Sequence, residues 1–145
     1  MPLIRLIYAS VARENVDFDV LSDILDHADR ANASQHITGA LLFTNGHFLQ
    51  ILEGERAAVN ALYLRIAADR RHHTPEILDC TQISARRFGD WSMKHIGADD
   101  ALTEGRRQIL REVLGTERLV PAALMGHQAY QLLLALAKLE RSRAA

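Results

Sequence analysis

Gln50 stands between Leu49 and Ile51 in the run FLQIL, a primary amide in the middle of an apolar, strand-like stretch. A buried amide left without partners costs roughly 1–3 kcal/mol, and it offers both a donor and an acceptor end. Gln50 must therefore be answered by something polar. Tyr8 has a comparable setting, in phase with Ile4 and Leu6 of LIRLIYAS. A strand tyrosine is ordinarily core packing with its hydroxyl tied to something. Asn32, near the end of a helical stretch, has helix C-capping as its plain structural role. The run Asp69-Arg70-Arg71-His72-His73 closes a second helical stretch, where cations complement the macrodipole. Trp91 and Met93 alternate along a short strand and would simply fill space there.

Other chemistries find little support. The seven histidines contain no HxxxH pair, and Cys80 has no thiolate companion for a metal. No glycine-rich phosphate loop and no GxSxG nucleophile motif occur. Seventeen Lys and Arg against eighteen Asp and Glu leave a net charge of -1, without a nucleic-acid footprint. A lone cysteine rules out an internal disulfide and points to a reducing, cytoplasmic setting. The apolar start is short and broken by Arg5, and no run approaches the ~20 residues of a membrane span. With 145 residues and 48% hydrophobic composition, one domain with a proper core is expected.

The elements that must position these residues follow from periodicity. Residues 3 to 10 read as a strand with Ile4, Leu6, Tyr8 and Ser10 on one face. Val20, Leu21, Ile24, Leu25 and Ala28 predict a helix over about 18 to 32, capped by Asp17 or Asp19. Asn45-Gly46 between two apolar runs predicts a hairpin of 37–43 with 47–53, because a type I′ turn needs positive φ at both central residues. Both faces of these strands are mostly apolar, so they should be central and covered on both sides. Gln50 then shares a face with Phe48 and Leu52. A second helix is expected over about 55 to 70, a fourth strand after Pro75 in EILDCTQISAR, and a short fifth strand in WSMKHI at 91 to 96.

The order β-α-β-β-α-β is the ferredoxin-like α+β pattern with one strand added. Beyond residue 98, helices are expected over 101–115, ended by Gly115, and over 121–140. They would cover the sheet face left open by the first two. The last helix is apolar on more than one side, which also suggests a homo-oligomer contact.

The strings IYAS, RANASQHITGALLF, NGHFLQILEG, DRRH and RRFGDWSM, in this order and spacing, resemble the BLUF family of blue-light sensors that use flavin. The likeness covers residues 3 to about 97. It implies a flavin-binding core over 1–97 and a helical extension for output or oligomerisation over 98–145. It further implies FAD, with FMN or riboflavin as alternatives, lying between the first two helices. Gln50 would bond both the flavin and Tyr8, and Asn32 the flavin's polar edge. Ile24 and Ile66 would flank the ring with Phe48 close by, and Asp69, Arg71 and His72 would lie near the ribityl and phosphate end. Trp91 and Met93 would be the mobile pair that relays the signal. Ala28 and Ala31 stand where the family often has polar residues, so weaker flavin binding is one consequence. His36 replaces a glycine before ITG, expected to concern the loop alone.

The mechanism so implied is a hydrogen-bond switch rather than an enzymatic reaction. On illumination an electron and a proton leave Tyr8 and return after Gln50 has rotated or tautomerised. A red-shifted state results, which alters binding of a separate partner protein. The rivals are a flavin-free ferredoxin-like interaction domain and an acylphosphatase-like hydrolase on the same fold.

Overall fold

The computed structural model describes residues 2–14, 23, 36–89, 94–96 and 104–144. Five strands form one sheet: β1 (Leu3–Ala12), β2 (Thr38–Thr44), β3 (His47–Glu55), β4 (His72–Ile83) and β5 (Lys94–Ile96). Their spatial order is β4-β1-β3-β2-β5. The first four pair antiparallel in the expected ferredoxin-like order, and β5 joins β2 in parallel. Helix α1 (Arg56–Ala67) follows β3, while α2 (Glu104–Leu114) and α3 (Gly126–Ala144) end the chain. The first helix expected over 18–32 lies outside the described residues, apart from Asp23, which is helical.

The hairpin forms as its turn residues require, with φ of 50° at Asn45 and 77° at Gly46. It sets Phe43 opposite Phe48 and Leu41 opposite Gln50. Gly39 holds the same pair of strands together for a different reason: a Cβ there would lie 1.9 Å from the Ile51 carbonyl oxygen. Alternation then sorts the side chains. Ile4, Leu6, Tyr8, Ile37 and Leu52 pack with Val59 and Leu62 of α1 on one face. Ile7, Ala9, Ala40, Leu42, Leu49 and Ile51 pack with Leu110 of α2 and Leu132, Leu133 and Leu136 of α3 on the other. The C-terminal helices thus cover the expected face, and α3 is buried against both sheet and α2. Arg5 ties it further, its guanidinium 4.1 Å from the Tyr130 ring centroid while its Nε donates to Asp79 at 3.0 Å.

Two expectations need correction. The fourth strand starts at His72, not after Pro75, because β4 is an edge strand where a missing N–H is tolerated. Thr74 turns to φ 54° beside a register shift against β1. His72 and His73 therefore open a strand, from which the His72 ring reaches back to the Ile66 carbonyl in the last turn of α1. The last helix starts at Gly126, since Pro121–Ala123 forms a separate 3₁₀ turn and Leu124 is extended. His36 lies in the turn before β2, a loop matter as expected. Its φ is 54°, a left-handed backbone that a glycine adopts freely and a histidine does not. Among the described residues no helix is long and apolar enough to cross a membrane.

Gly39→Ala should cost on the order of 3 kcal/mol or more, because the added methyl meets backbone rather than a side chain that can move aside. Urea unfolding of this variant beside the parent protein measures it, and a loss under about 1 kcal/mol would contradict the close approach.

Candidate functional site

Tyr8 and Gln50 are direct cross-strand partners in the antiparallel β1–β3 pair. Even residues of β1 face α1, and so does Gln50, two residues before Leu52. The Tyr8 hydroxyl donates to Gln50 Oε1 at 2.5 Å. At 4% and 3% exposure, neither group can trade this bond for one to water. Burial first, then the nearby charges of Tyr63 and Asp69, pushes the Tyr8 phenol far above its ordinary value. It remains a neutral donor at any physiological pH. With Oε1 occupied by Tyr8, the donor end of the amide is Nε2.

The walls of the site are partly polar. His72, which opens β4, is buried, and Nε2 lies 2.5 Å from the Ile66 carbonyl oxygen. A carbonyl cannot donate, so Nε2 carries a proton. Nδ1 lies 2.7 Å from Ser10 Oγ on β1; in the neutral ring it accepts from that hydroxyl. His72 thereby ties the end of α1 to β1. Its ring meets Phe48 edge-on at 6.2 Å and Tyr8 at 6.4 Å. Tyr63 of α1 closes on Tyr8 at 5.5 Å between centroids. Ile66 is half-buried on the same face.

At the rim, Arg71 Nη2 donates to Asp69 Oδ2 at 2.5 Å and Nε to Oδ1 at 3.0 Å, with Asp23 3.6 Å from Nη1. The Asp69 carboxyl is lowered, chiefly by these side-chain hydrogen bonds from Arg71.

Of the residues singled out from the sequence, Tyr8, Phe48, Gln50, Ile66 and His72 come together, with Asp69 and Arg71 beside them. Ile24, Asn32, Trp91 and Met93 lie outside the described residues, as do Ala28 and Ala31. Two further residues matter that patterning did not single out. Tyr63 shares its α1 face with Val59, Leu62 and Ile66, a spacing visible in the sequence. Glu53 looked like the end of the hairpin, yet β3 continues through it and buries it completely.

The lowered Asp69 carboxyl stabilises the fold above its unfolded range, and this contribution is lost as pH falls through the folded value. Asp69→Asn should remove it at neutral pH and flatten the stability profile below about pH 5. Unfolding midpoints at pH 7 and at about pH 2, below the unfolded carboxyl range, test this for both proteins, and parallel profiles would refute it.

Comparison with known proteins agrees with this geometry. A family model described as sensors of blue light using FAD (BLUF) matches residues 3–94. The blue light- and temperature-regulated antirepressor BluF of Escherichia coli is 37% identical over 92 residues, 63% of this chain and 23% of that protein. The photoactivated adenylate cyclase subunit beta of Euglena gracilis is 40% identical over 92 residues, 63% of this chain and 11% of its own length. The chain thus spans under a quarter of these curated relatives. Among solved structures, BlsA in its ground state superposes with a TM-score of 0.80 at 30% identity, covering 93% of this chain and 87% of that one. BlrB in its dark state gives 0.75 at 32% identity, covering 94% and 96%. With a buried tyrosine–glutamine pair on neighbouring strands and a match spanning β1 to β4 and α1, the chain belongs to the BLUF family, the sensors of blue light using FAD.

Proposed function

We propose that Tyr8 and Gln50 form the light-operated switch of a photoreceptor whose state is passed to a separate partner protein through β5 and helices α2 and α3. The observation that carries this reading is the Tyr8 Oη to Gln50 Oε1 bond, held between directly paired strands in an apolar face.

The residues present fit a flavin. Gln50 brings an amide with a donor and an acceptor end to a face that also carries Phe48 and Ile66 as apolar surfaces for a ring, and Arg71 places a cation at the rim. That cation already holds Asp69 and Asp23, so a phosphate there would share it with two carboxylates. Ile24 and Asn32 complete the proposed set, with FAD as the group and FMN or riboflavin as ring-equivalent substitutes. When bound, the flavin supplies blue-light absorption and a transient demand for an electron.

The protein's own part follows from the geometry. The Tyr8 proton has one route, along the bond to Gln50 Oε1, because burial closes the way to water. An electron and this proton leave Tyr8 and return once the Gln50 amide has rotated or tautomerised. No net redox change remains; rotation alters only the direction of the hydrogen bonds, and tautomerisation moves one proton from the amide nitrogen to its oxygen. An amide suits the task because its two ends differ in donor character while being nearly equal in size. The output requires a partner that binds dark and lit states with unequal affinity, with Trp91 and Met93 proposed as the relay. A homo-oligomer belongs to the same reading; among the described residues the exposed large apolar side chains are Leu64, Ile77, Val120 and Met125.

The visible spectrum before and after blue light is the test. The parent protein should show flavin bands that move reversibly to longer wavelength. Tyr8→Phe and Gln50→Glu should retain flavin and lose this shift entirely. A normal shift in either variant would remove that residue from the switch.

A further inference from the structure

Glu53 is 0% exposed, on the face of β3 opposite Gln50 and three residues beyond it. A buried carboxylate needs compensation at both oxygens, and here it comes from the main chain. Arg87 N–H donates at 3.0 Å to each of Oε1 and Oε2, and Phe88 N–H donates at 2.7 Å to Oε1. A second tie reinforces the first, since Arg86 Nη1 donates to the Glu53 carbonyl oxygen at 2.8 Å and to Thr38 Oγ1 at 3.0 Å. Residues 86–88 are thus fastened to β3 and to the first residue of β2. Phe88, also 0% exposed, then joins the core layer of Ile96 of β5, Leu110 of α2 and Leu132 of α3. In sequence this anchored segment leads directly into residues 90–93 and β5.

We propose that Glu53 is a positioning residue for the light response: its carboxylate ties residues 86–88, and with them the approach to β5, to the strand that carries Gln50. The tie is rigid and stays closed in dark and light. A shift of β3 beneath a reoriented Gln50 is therefore handed to the segment before β5, and to the layer shared with α2 and α3. Glu53 takes no part in the photochemistry, which lies on the other face of the sheet. The inference rests on the Tyr8–Gln50 switch proposed above.

The test uses the full chain with FAD bound, comparing Glu53→Gln with the parent protein. Glutamine keeps the shape but sets an NH₂ group against a main-chain N–H, donor against donor. The variant should keep the light-induced red shift while its Arg87 and Phe88 amides exchange with deuterium about tenfold faster or more. The parent should show a light-induced change in exchange at Lys94–Ile96, which the variant should lose; a parent with a red shift and no such change would overturn the proposal. Loss of the red shift in Glu53→Gln would overturn the proposal by making Glu53 part of the switch itself. An unchanged light response at β5 would overturn it too. The parent protein gives an independent check should the variant not fold: rapid exchange of Arg87 and Phe88 amides in the dark would refute the tie. A parent that shows no red shift would instead refute the switch.

Discussion

The register of β1 against β3 is the constraint on which the rest of the molecule depends. It places Tyr8 opposite Gln50, and a slip of one residue would turn either side chain to the opposite face. Main-chain bonds flank that register at both ends, from Ala12 N–H to the Gly46 carbonyl oxygen at 2.8 Å and from Arg56 N–H to the Pro2 carbonyl oxygen at 3.1 Å, and the neighbouring strand is fixed as well. The Asn45-Gly46 turn fixes β2 against β3, and Gly39 lets those strands approach where no side chain fits. Apolar layers on both faces then penalise any slip, since each would bury polar groups and expose apolar ones. A hydrogen bond that must be ready before light arrives is held by backbone pairing, the least adjustable part of the fold.

Around this pair the two faces of the sheet divide the work. The face under α1 is where buried polarity collects: a phenol, an amide, the Ser10 hydroxyl and the His72 ring, each bonded to another protein group. The other face is mainly apolar and carries α2 and α3. Among the described residues its charged groups are Arg106 of α2, the Arg5–Asp79 pair and Glu53, whose bonds run to the segment that precedes β5. Polar groups buried in low dielectric are rigid when satisfied. Both polar clusters therefore act as fixed points, between which the apolar layers set the spacing.

His72 illustrates how a residue type can mislead until its neighbours are known. In a basic run at the end of a helix, it reads as a cation for the macrodipole or for a phosphate. In the fold it opens an edge strand and bridges Ser10 and the Ile66 carbonyl, holding α1 against β1 beside Tyr8. Arg71 is similarly committed, to Asp69 and Asp23.

The sequence by itself determined the strand and helix order, the hairpin turn, the faces on which Tyr8 and Gln50 lie, and the family. These are local matters of side-chain period and turn chemistry, legible in LIRLIYAS, in NG and in FLQILEG. Tertiary structure alone decided what depends on the meeting of distant segments. The bonds of Glu53 to residues 34 and 35 positions onward are of this kind, as is the Tyr63 ring against Tyr8. So is the early start of β4, which rests on its place at the sheet edge, where Pro75 costs no ladder bond. Periodicity tells which way a side chain points along its own element; only packing tells what it will meet there.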